Sequence, residues 1–364
     1  MQFEQKRVLV CPLNWGLGHA TRCIPIINEL LVQGAEVILA GNGDSLLILQ
    51  NEFPQLKYVT FSAKEITYPN KSNMSWHLFK SSVDLLLNIF SEHRQLKQII
   101  NEHYIDIVIS DNRYGCWSTK CFSIFITHQL NIQCPTSLKW LQPFVNRINH
   151  FFIRKYNECW VPDVKELPGL SGILSHGDYY LQHVKYIGAL SRFTDGEAKT
   201  DDVIYDLLVI LSGPEPQRTI FENLIIEQVS KLNLKTLLVR GKPQKTNVPV
   251  VASQIKIINH LETSQLKFHL QHAKNILCRS GYSTIMDLAM LGRKAIIVPT
   301  PGQTEQEYLA GFFHLQKVHF MQQQNQFDLK LALKGIEFCN ELKYNGQENT
   351  LTAAISRVLS MAKN

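Results

Sequence analysis

Several features are scarce or missing in this sequence of 364 residues. No apolar stretch approaches the roughly 18 residues that a membrane-spanning helix needs. The eight cysteines form no C-x-x-C pair, and several stand in apolar, strand-like runs where free cysteine packs as a small hydrophobe. Charged residues precede the first short apolar run, so no secretory leader is indicated. These absences predict a protein of the reducing cytosol.

Charge of one sign is not concentrated in any part of the chain. The net charge of +6 is spread over both halves, which argues against a basic nucleic-acid-binding arm and leaves anionic substrates open. Low-complexity tracts and internal repeats are also missing. The composition, 45% apolar and 19% charged, is that of a globular protein, and the length suits two domains.

Short β-branched runs alternate with helical patterns along the whole chain, which is typical of βαβ units and parallel sheets. The predicted strands are 7–11, 36–40, 57–61, 105–110, 123–127, 205–211, 235–240, 254–258, 274–278 and 295–299. The predicted helices are 21–33, 75–101, 138–156, 216–232 and 283–291. We predict an α/β protein of two Rossmann-like, doubly wound domains that face each other across a cleft. They span residues 1–190 and 203–364 around a polar linker, 191–202, and a last helix at 349–361 packs back on the first domain.

The turn after the first predicted strand contains Gly16, Gly18 and His19. A dinucleotide fingerprint, G-x-G-x-x-G, would need a third glycine where Thr21 stands, and the acidic residue expected directly after the second strand is missing there. NAD binding is therefore not expected. The glycines let the backbone approach a ligand and set His19 at a helix start that faces the cleft, as a candidate general base. The structural alternative is a histidine that caps or packs at this helix start.

A second segment, residues 276–310, has a strand, a short turn and a helix start. Amides and hydroxyls at such a helix start suit a diphosphate, aided by the helix dipole and by Arg279 in the turn. Asp287 follows Thr284 by one helical turn and could accept hydrogen bonds from ribose hydroxyls. The structural alternative is a capping-box pair formed by Thr284 and Asp287, which needs no ligand.

This second segment resembles the donor-binding segment of nucleotide-sugar glycosyltransferases of the GT-B fold, especially family 28. In that family a strand is followed by S-R-x-G-x-x-T-x-x-E, then by G-x-P-x-x-x-V-P and a helix start that contains glutamine. The matching positions are Cys278, Arg279, Ser280, Gly281, Thr284, Asp287, Gly292, Val298, Pro299 and Gln306, with Gly18-His19 and His128 to Asn131 in the first half. Four positions depart from the pattern: Asp287 replaces a glutamate, Glu307 a glutamine and Leu309 an asparagine, and Ser212-Gly213 replaces a glycine pair.

The resemblance implies a transferase that moves a hexosyl or N-acetylhexosaminyl group from a UDP-sugar to an acceptor hydroxyl on a lipid or glycan, with inversion. No D-x-D triplet of the kind that anchors a metal ion is present, so neither a metal nor a separate cofactor is expected. The expected substrate-binding residues are Gly16, Gly18, Ser212, Gly213, Arg279, Ser280, Gly281, Ser283, Thr284, Asp287, Gln303 and Gln306. Two alternatives stay open: a nucleotide-sugar epimerase of the same fold, and a non-catalytic sugar-nucleotide or glycan binder.

Two further features have open interpretations. Asp111 follows the predicted strand 105–110 and could be the base itself, the orienting partner of His19, or an Asx turn with Asn112. The predicted helix 138–156 mixes aromatic and basic residues, which suits either an anionic membrane surface or an apolar stripe packed on the sheet. We expect a cytoplasmic protein with peripheral contact to the inner face of the cell membrane and with no nucleic-acid partner.

Overall fold

The structure is a computed structural model of the whole chain. It describes residues 5–61, 74–177, 181–193, 202–244, 247–342, 344 and 350–361, and the side chains of 74–85 are not described. Two parallel sheets, one in each half of the chain, form its framework. In the sequence, the predicted linker lies between them, and its residues 194–201 lie outside the described residues.

The first sheet has seven strands in the order β3-β2-β1-β4-β5-β6-β7. The strands are β1 (Arg7–Pro12), β2 (Glu36–Gly41), β3 (Lys57–Thr60), β4 (Ile107–Asp111), β5 (Phe122–Ile126), β6 (Glu158–Val161) and β7 (Val184–Tyr186). The helices of this half are α1 (Gly18–Val32), α2 (Gly43–Glu52), α3 (Met74–His103) and α4 (Gln142–Ile153). The strand order reverses between β1 and β4, and a crevice opens at the carboxyl ends of the strands at such a switch point.

The second sheet has six strands in the order β10-β9-β8-β11-β12-β13. These are β8 (Tyr205–Ile210), β9 (Thr236–Val239), β10 (Ile255–Ile258), β11 (Ala273–Cys278), β12 (Ile296–Ile297) and β13 (Phe320–Met321). The helices are α5 (Gln217–Ser230), α6 (Thr263–Gln271), α7 (Tyr282–Met290), α8 (Thr304–Leu315), α9 (Leu329–Glu337) and α10 (Thr350–Met361). Its switch point lies between β8 and β11, so the loops before α5 and α7 meet at one edge.

Two helices matter for the site and for the way the two halves are joined. Helix α1 begins at Gly18, three residues earlier than predicted, so His19 lies inside its first turn. Helix α10 belongs to the second half in sequence but contacts the first sheet, where Arg357 donates to both oxygens of Glu158 at 2.7 and 2.5 Å. Its Thr350 hydroxyl also donates to the Ile187 carbonyl. The two halves are therefore joined by a returning helix as well as by the linker.

Candidate active site

A cavity of about 570 Å³ lies between the two sheets, at the carboxyl ends of their strands. Most of the predicted site residues line it: Gly16, Gly18, His19, Ser212, Gly213, Gly281, Ser283, Thr284, Asp287, Gln303 and Gln306. Asp111, Arg279 and Ser280 lie behind its wall. The cavity joins the two motifs that are some 260 residues apart in the sequence, so the predicted cleft brings them together.

His19 and Asp111 form a side-chain pair on the first-half wall. Nδ1 of His19 lies 3.1 Å from Oδ1 of Asp111, which ends β4 and is fully buried. Arg22, one turn after His19 on α1, donates from Nε to Oδ2 of Asp111 at 2.5 Å and from Nη2 to Oδ1. The Asp111 carboxylate thus bonds to α1 and does not close an Asx turn.

The charges around this pair set its protonation. Burial opposes ionisation of Asp111, but Arg22 and His19 outweigh it and hold the pKa of the carboxyl at about 2. Burial and the positive charge of Arg22 lower the pKa of His19, against the opposing effect of Asp111 and Glu305. His19 is therefore a neutral imidazole near pH 7, whereas Asp111 is ionised and out of reach of a ligand.

Residues of the second half complete this network across the cavity. Glu305 lies in the first turn of α8, and its Oε1 is 3.0 Å from Nε2 of His128. Oε2 of Glu305 accepts from the side-chain amide of Gln129. His128 also stacks on Tyr282 at a ring separation of 4.1 Å. Nδ1 of His128 lies 3.1 Å from Arg22, so one chain of polar contacts runs from Asp111 to Glu305.

The starts of α1 and α7 approach each other closely at Gly18. The Ser283 hydroxyl donates to the Gly18 carbonyl at 2.8 Å, and a Cβ added at Gly18 would lie 2.9 Å from that hydroxyl oxygen. Gly16 has a φ of +73°, in the left-handed region that favours glycine. The first glycine thus shapes the turn, and the second permits contact between the two halves.

The start of α7 presents unsatisfied backbone donors to the cavity. Gly281 is the N-cap, and no side chain caps the helix. Thr284 therefore lies inside the first turn, and the capping-box alternative for Thr284 and Asp287 is wrong. Gly213, with a φ of +100°, brings the turn after β8 to the same edge. Backbone N–H groups at a helix start, together with the helix dipole, form a site for anions.

Asp287 faces both the cavity and the first residues of the predicted linker. Its carboxylate accepts from the Ser191 hydroxyl at 2.7 Å and from Arg192 at 3.2 Å. Burial raises the pKa of Asp287, and these two partners only partly offset the shift. A ribose at Asp287 would therefore share the carboxylate with the segment that connects the two halves.

Arg279, Ser280 and Gln306 were predicted to contact the UDP-sugar, but their side chains bond to other groups of the protein. Arg279 is buried and donates to the carbonyls of Val298 and Pro299, and it lies over the ring of Phe221 at 4.0 Å. A direct contact with phosphate would require its guanidinium to leave these carbonyls. The Ser280 hydroxyl donates to the Gln306 carbonyl.

The Gln306 side chain is also engaged within the second half. Its Oε1 accepts from the Thr300 amide and its Nε2 donates to Gln303. Ser280 and Gln306 thus hold the loop before α8 in shape, and Gln303 and Gln306 line the cavity from that loop.

The segment predicted as a helix at 138–156 forms a 3₁₀ turn, Thr136–Leu141, and then α4, which ends at Ile153, and the segment presents two faces. Tyr156 is buried and contacts the ring of Phe125 at 4.9 Å, so this face packs on the sheet as the structural alternative expected. The opposite face is exposed, with Trp140 in the preceding turn followed on α4 by Phe144, Ile148 and Phe151.

Sequence reasoning missed Arg22, which follows the Gly-His pair by three residues and joins His19 to Asp111. That helical spacing was the available signal. It also missed Trp15, which lines the cavity mouth with half of its surface exposed. Within the described ranges, no group of three or more metal-ligating side chains is found, and no helix is long and apolar enough to span a membrane.

Comparison with known proteins finds both a matching family and a similar relative for this chain. Residues 208–364 match the glycosyltransferase family 28 C-terminal domain. The chain is 22% identical over 317 residues to the UDP-N-acetylglucosamine–N-acetylmuramyl-(pentapeptide) pyrophosphoryl-undecaprenol N-acetylglucosamine transferase of Haemophilus ducreyi, covering 84% of this chain and 81% of that relative.

Solved structures of similar fold cover nearly the whole chain. The glycosyltransferase SnogD from Streptomyces nogalater aligns with a TM-score of 0.63 at 11% identity, over 99% of this chain and all of that chain. The calicheamicin glycosyltransferase CalG4 aligns at 0.62 and 11% identity, over 99% and 95%. Acinetobacter baumannii MurG aligns at 0.53 and 12% identity, over 98% and 100%.

The fold, the cleft and these matches define the class: the protein is a glycosyltransferase of the GT-B fold, with two Rossmann-like domains. The family that it resembles is glycosyltransferase family 28, whose C-terminal domain its second half matches. These findings favour sugar transfer over the epimerase and the non-catalytic binder.

Proposed function

We propose that the protein transfers a hexosyl or N-acetylhexosaminyl group from a UDP-sugar to a hydroxyl of a lipid-linked glycan, with inversion and without a metal ion. One observation carries the proposal: His19, backed by Asp111, lines one wall of the cavity, and the uncapped start of α7 lines the other. A base and an anion site thus share one cavity with room for a sugar between them.

The donor side is assigned to the second domain. Gly281, Ser283 and Thr284 at the start of α7 suit the diphosphate, and Ser212 and Gly213 approach from the turn after β8. Amides and the helix dipole stabilise the negative charge that grows on UDP as it leaves, a task that needs no cation. A UDP-sugar also agrees with the donor in the name of the Haemophilus ducreyi relative.

The acceptor side is assigned to the first domain. The exposed indole of Trp15 offers a flat apolar surface to a sugar ring. Amide side chains lie beside it, and Oδ1 of Asn112 is buried and has no hydrogen-bond partner among the described residues. An apolar platform with a few placed polar groups supports a glycan acceptor. The acceptor in the name of the same relative, an N-acetylmuramyl group on a pyrophosphoryl lipid, is of this class.

The chemistry is a single displacement. The mechanism uses the tautomer of His19 in which Nδ1–H donates to Asp111. Nε2 then takes the proton of the acceptor hydroxyl as that oxygen bonds to the anomeric carbon of the donor. The bond from this carbon to the UDP oxygen breaks, and UDP leaves toward α7. One displacement inverts the configuration. Proton removal of this kind contributes about 10²–10⁴-fold to the rate.

We assign membrane contact to the amphipathic face of α4, which is formed by Trp140, Phe144, Ile148 and Phe151. Lys139, Arg147, Arg154 and Lys155, all exposed, flank this face, and residues 136–157 contain no acidic residue. Exposed aromatic side chains beside basic ones suit an anionic lipid surface. On its other side α4 contacts Tyr114, a cavity-lining residue, through Asn149 at 2.8 Å. A lipid-linked acceptor would thus reach the cavity from the membrane.

The proposal is tested by UDP release from UDP-N-acetylglucosamine, UDP-glucose and UDP-galactose, with and without a bacterial lipid extract, in EDTA throughout. We expect release with at least one donor, dependent on the extract and unaffected by the chelator. Stabilisation of the protein by UDP at 100 times its Kd should be about 2.7 kcal/mol. Turnover that vanishes in EDTA and returns with Mn²⁺ or Mg²⁺ would contradict the metal-independent mechanism. Stabilisation by NAD but by no UDP compound would contradict the donor assignment.

A further inference from the structure

Arg22 is a buried charged residue at the cavity wall whose guanidinium is bound on several sides. It follows His19 by three positions on α1, so both side chains leave the same face of the first turn. Its guanidinium is 2% exposed and binds both oxygens of Asp111, from Nε at 2.5 Å and from Nη2. Such two-point contacts fix the orientation of a carboxylate.

The same guanidinium lies against two imidazoles. Nη2 is 2.9 Å from Nδ1 of His19, and Nη1 is 3.1 Å from Nδ1 of His128. Arg22 therefore stands between the buried carboxylate and the two histidines of the first domain that line the cavity. No step of the proposed transfer requires a cation at this point, so its role needs a separate explanation.

The explanation is one of charge balance. A buried carboxylate 3.1 Å from an imidazole stabilises the imidazolium, which has no lone pair to accept a proton. The charged groups that face His19 are Arg22 on α1, Asp111 on β4 and Glu305 on α8. The two acids raise the pKa of His19, whereas burial and Arg22 lower it, and the net shift is downward. Without Arg22, two acids would act on the imidazole with no nearby cation.

We propose that Arg22 is a positioning residue that neutralises the charge of Asp111, so that Asp111 orients His19 without stabilising its imidazolium form. The inference rests on the proposed function because it takes His19 as the base. Arg22 lines the cavity but is assigned no contact with the reacting atoms of the proposed transfer. Its effect should therefore be visible in the protonation of His19 even in the absence of turnover.

The test is an NMR titration of the intact protein labelled with ¹⁵N-histidine, with His19 assigned by comparison with His19→Asn. Arg22→Met should raise the pKa of His19 by roughly one to two pH units, because Asp111 loses its counter-charge. Asp111→Asn should shift that pKa in the opposite direction, because Arg22 is then unbalanced. Arg293→Met is the control, since it removes a buried arginine that donates to the Leu270, Gln271 and Ala273 carbonyls of the second domain and should leave His19 unchanged.

The pH profile of transfer supplies the second readout. In Arg22→Met the acidic limb should move to higher pH with the titration of His19, and part of the lost activity should return above that limb. A His19 pKa that is equal to or below that of the wild type in Arg22→Met would overturn the inference, even if transfer is lost. If Arg22→Met does not fold, an unshifted or raised pKa in Asp111→Asn overturns it instead. Shifts in the expected directions in a protein that transfers no sugar would support the charge balance and reject the proposed function.

Discussion

Asp287 connects the donor site to the linker at the scale of a single side chain. Its carboxylate lines the cavity and also accepts from Ser191 and Arg192, the first two residues of the predicted linker. A ribose that bonds to Asp287 would therefore act on the segment that joins the domains. The aspartate in place of the family's glutamate leaves a shorter reach, so nucleotide and linker must approach closely.

Replacing Asp287 with asparagine should weaken UDP binding about 10-fold or more, because hydrogen bonds to a charged group contribute about 1.5–3 kcal/mol. Isothermal titration with UDP measures this loss. Ser191→Ala is the matched control: it removes one partner of Asp287 but leaves the carboxylate, so UDP affinity should remain close to that of the wild type. Equal losses in both variants would assign Asp287 to the linker contact alone.

Single residues also mark how far the sequence could predict the site. Most of the residues predicted from the Gly-His pair and from the strand–turn–helix before Asp287 line the cavity, because both motifs lie at strand ends, where the chain order locates them. Arg279 matched the family motif, yet its guanidinium is engaged by carbonyls of its own domain. Gly18 was expected to admit a ligand, whereas it admits Ser283. Contacts between residues so distant in sequence have no local signal.

At the scale of elements, α4 shows why an amphipathic pattern alone was ambiguous. One face buries Ile153 and, just beyond the helix, Tyr156, while the other leaves four large apolar side chains exposed. A helical sequence can carry two apolar stripes, and only the packing shows which of them meets the sheet. The short strands β6 and β7 were not predicted from the sequence, because runs of four and three residues carry little periodicity.

The triple substitution Trp140→Ser, Phe144→Ser, Phe151→Ser should reduce binding to phosphatidylglycerol vesicles at least 10-fold, since burying each large apolar side chain contributes up to about 1.5–3 kcal/mol. Co-sedimentation measures the change. Leu315→Ser with Phe338→Ser is the control, because both residues are highly exposed on the second domain. Equal retention of the triple variant and the control would reject the amphipathic face of α4 as the membrane contact.

At the scale of the whole molecule, the two domains meet through polar contacts at the reacting centre. Ser283 bonds to Gly18, and Glu305 faces His128, so the donor and acceptor walls are held in register by side chains of the site itself. Closure of this kind positions reactants and excludes water. The proposed function divides the labour between the two domains: UDP binds to one domain, and the other removes the proton.

That division is tested most directly by measuring transfer and UDP affinity together in His19→Ala. The account predicts that kcat falls about 100-fold or more, because the base is lost. UDP affinity should stay within about twofold of the wild type, because the donor site lies on the other domain. Turnover near that of the wild type in His19→Ala would contradict the account.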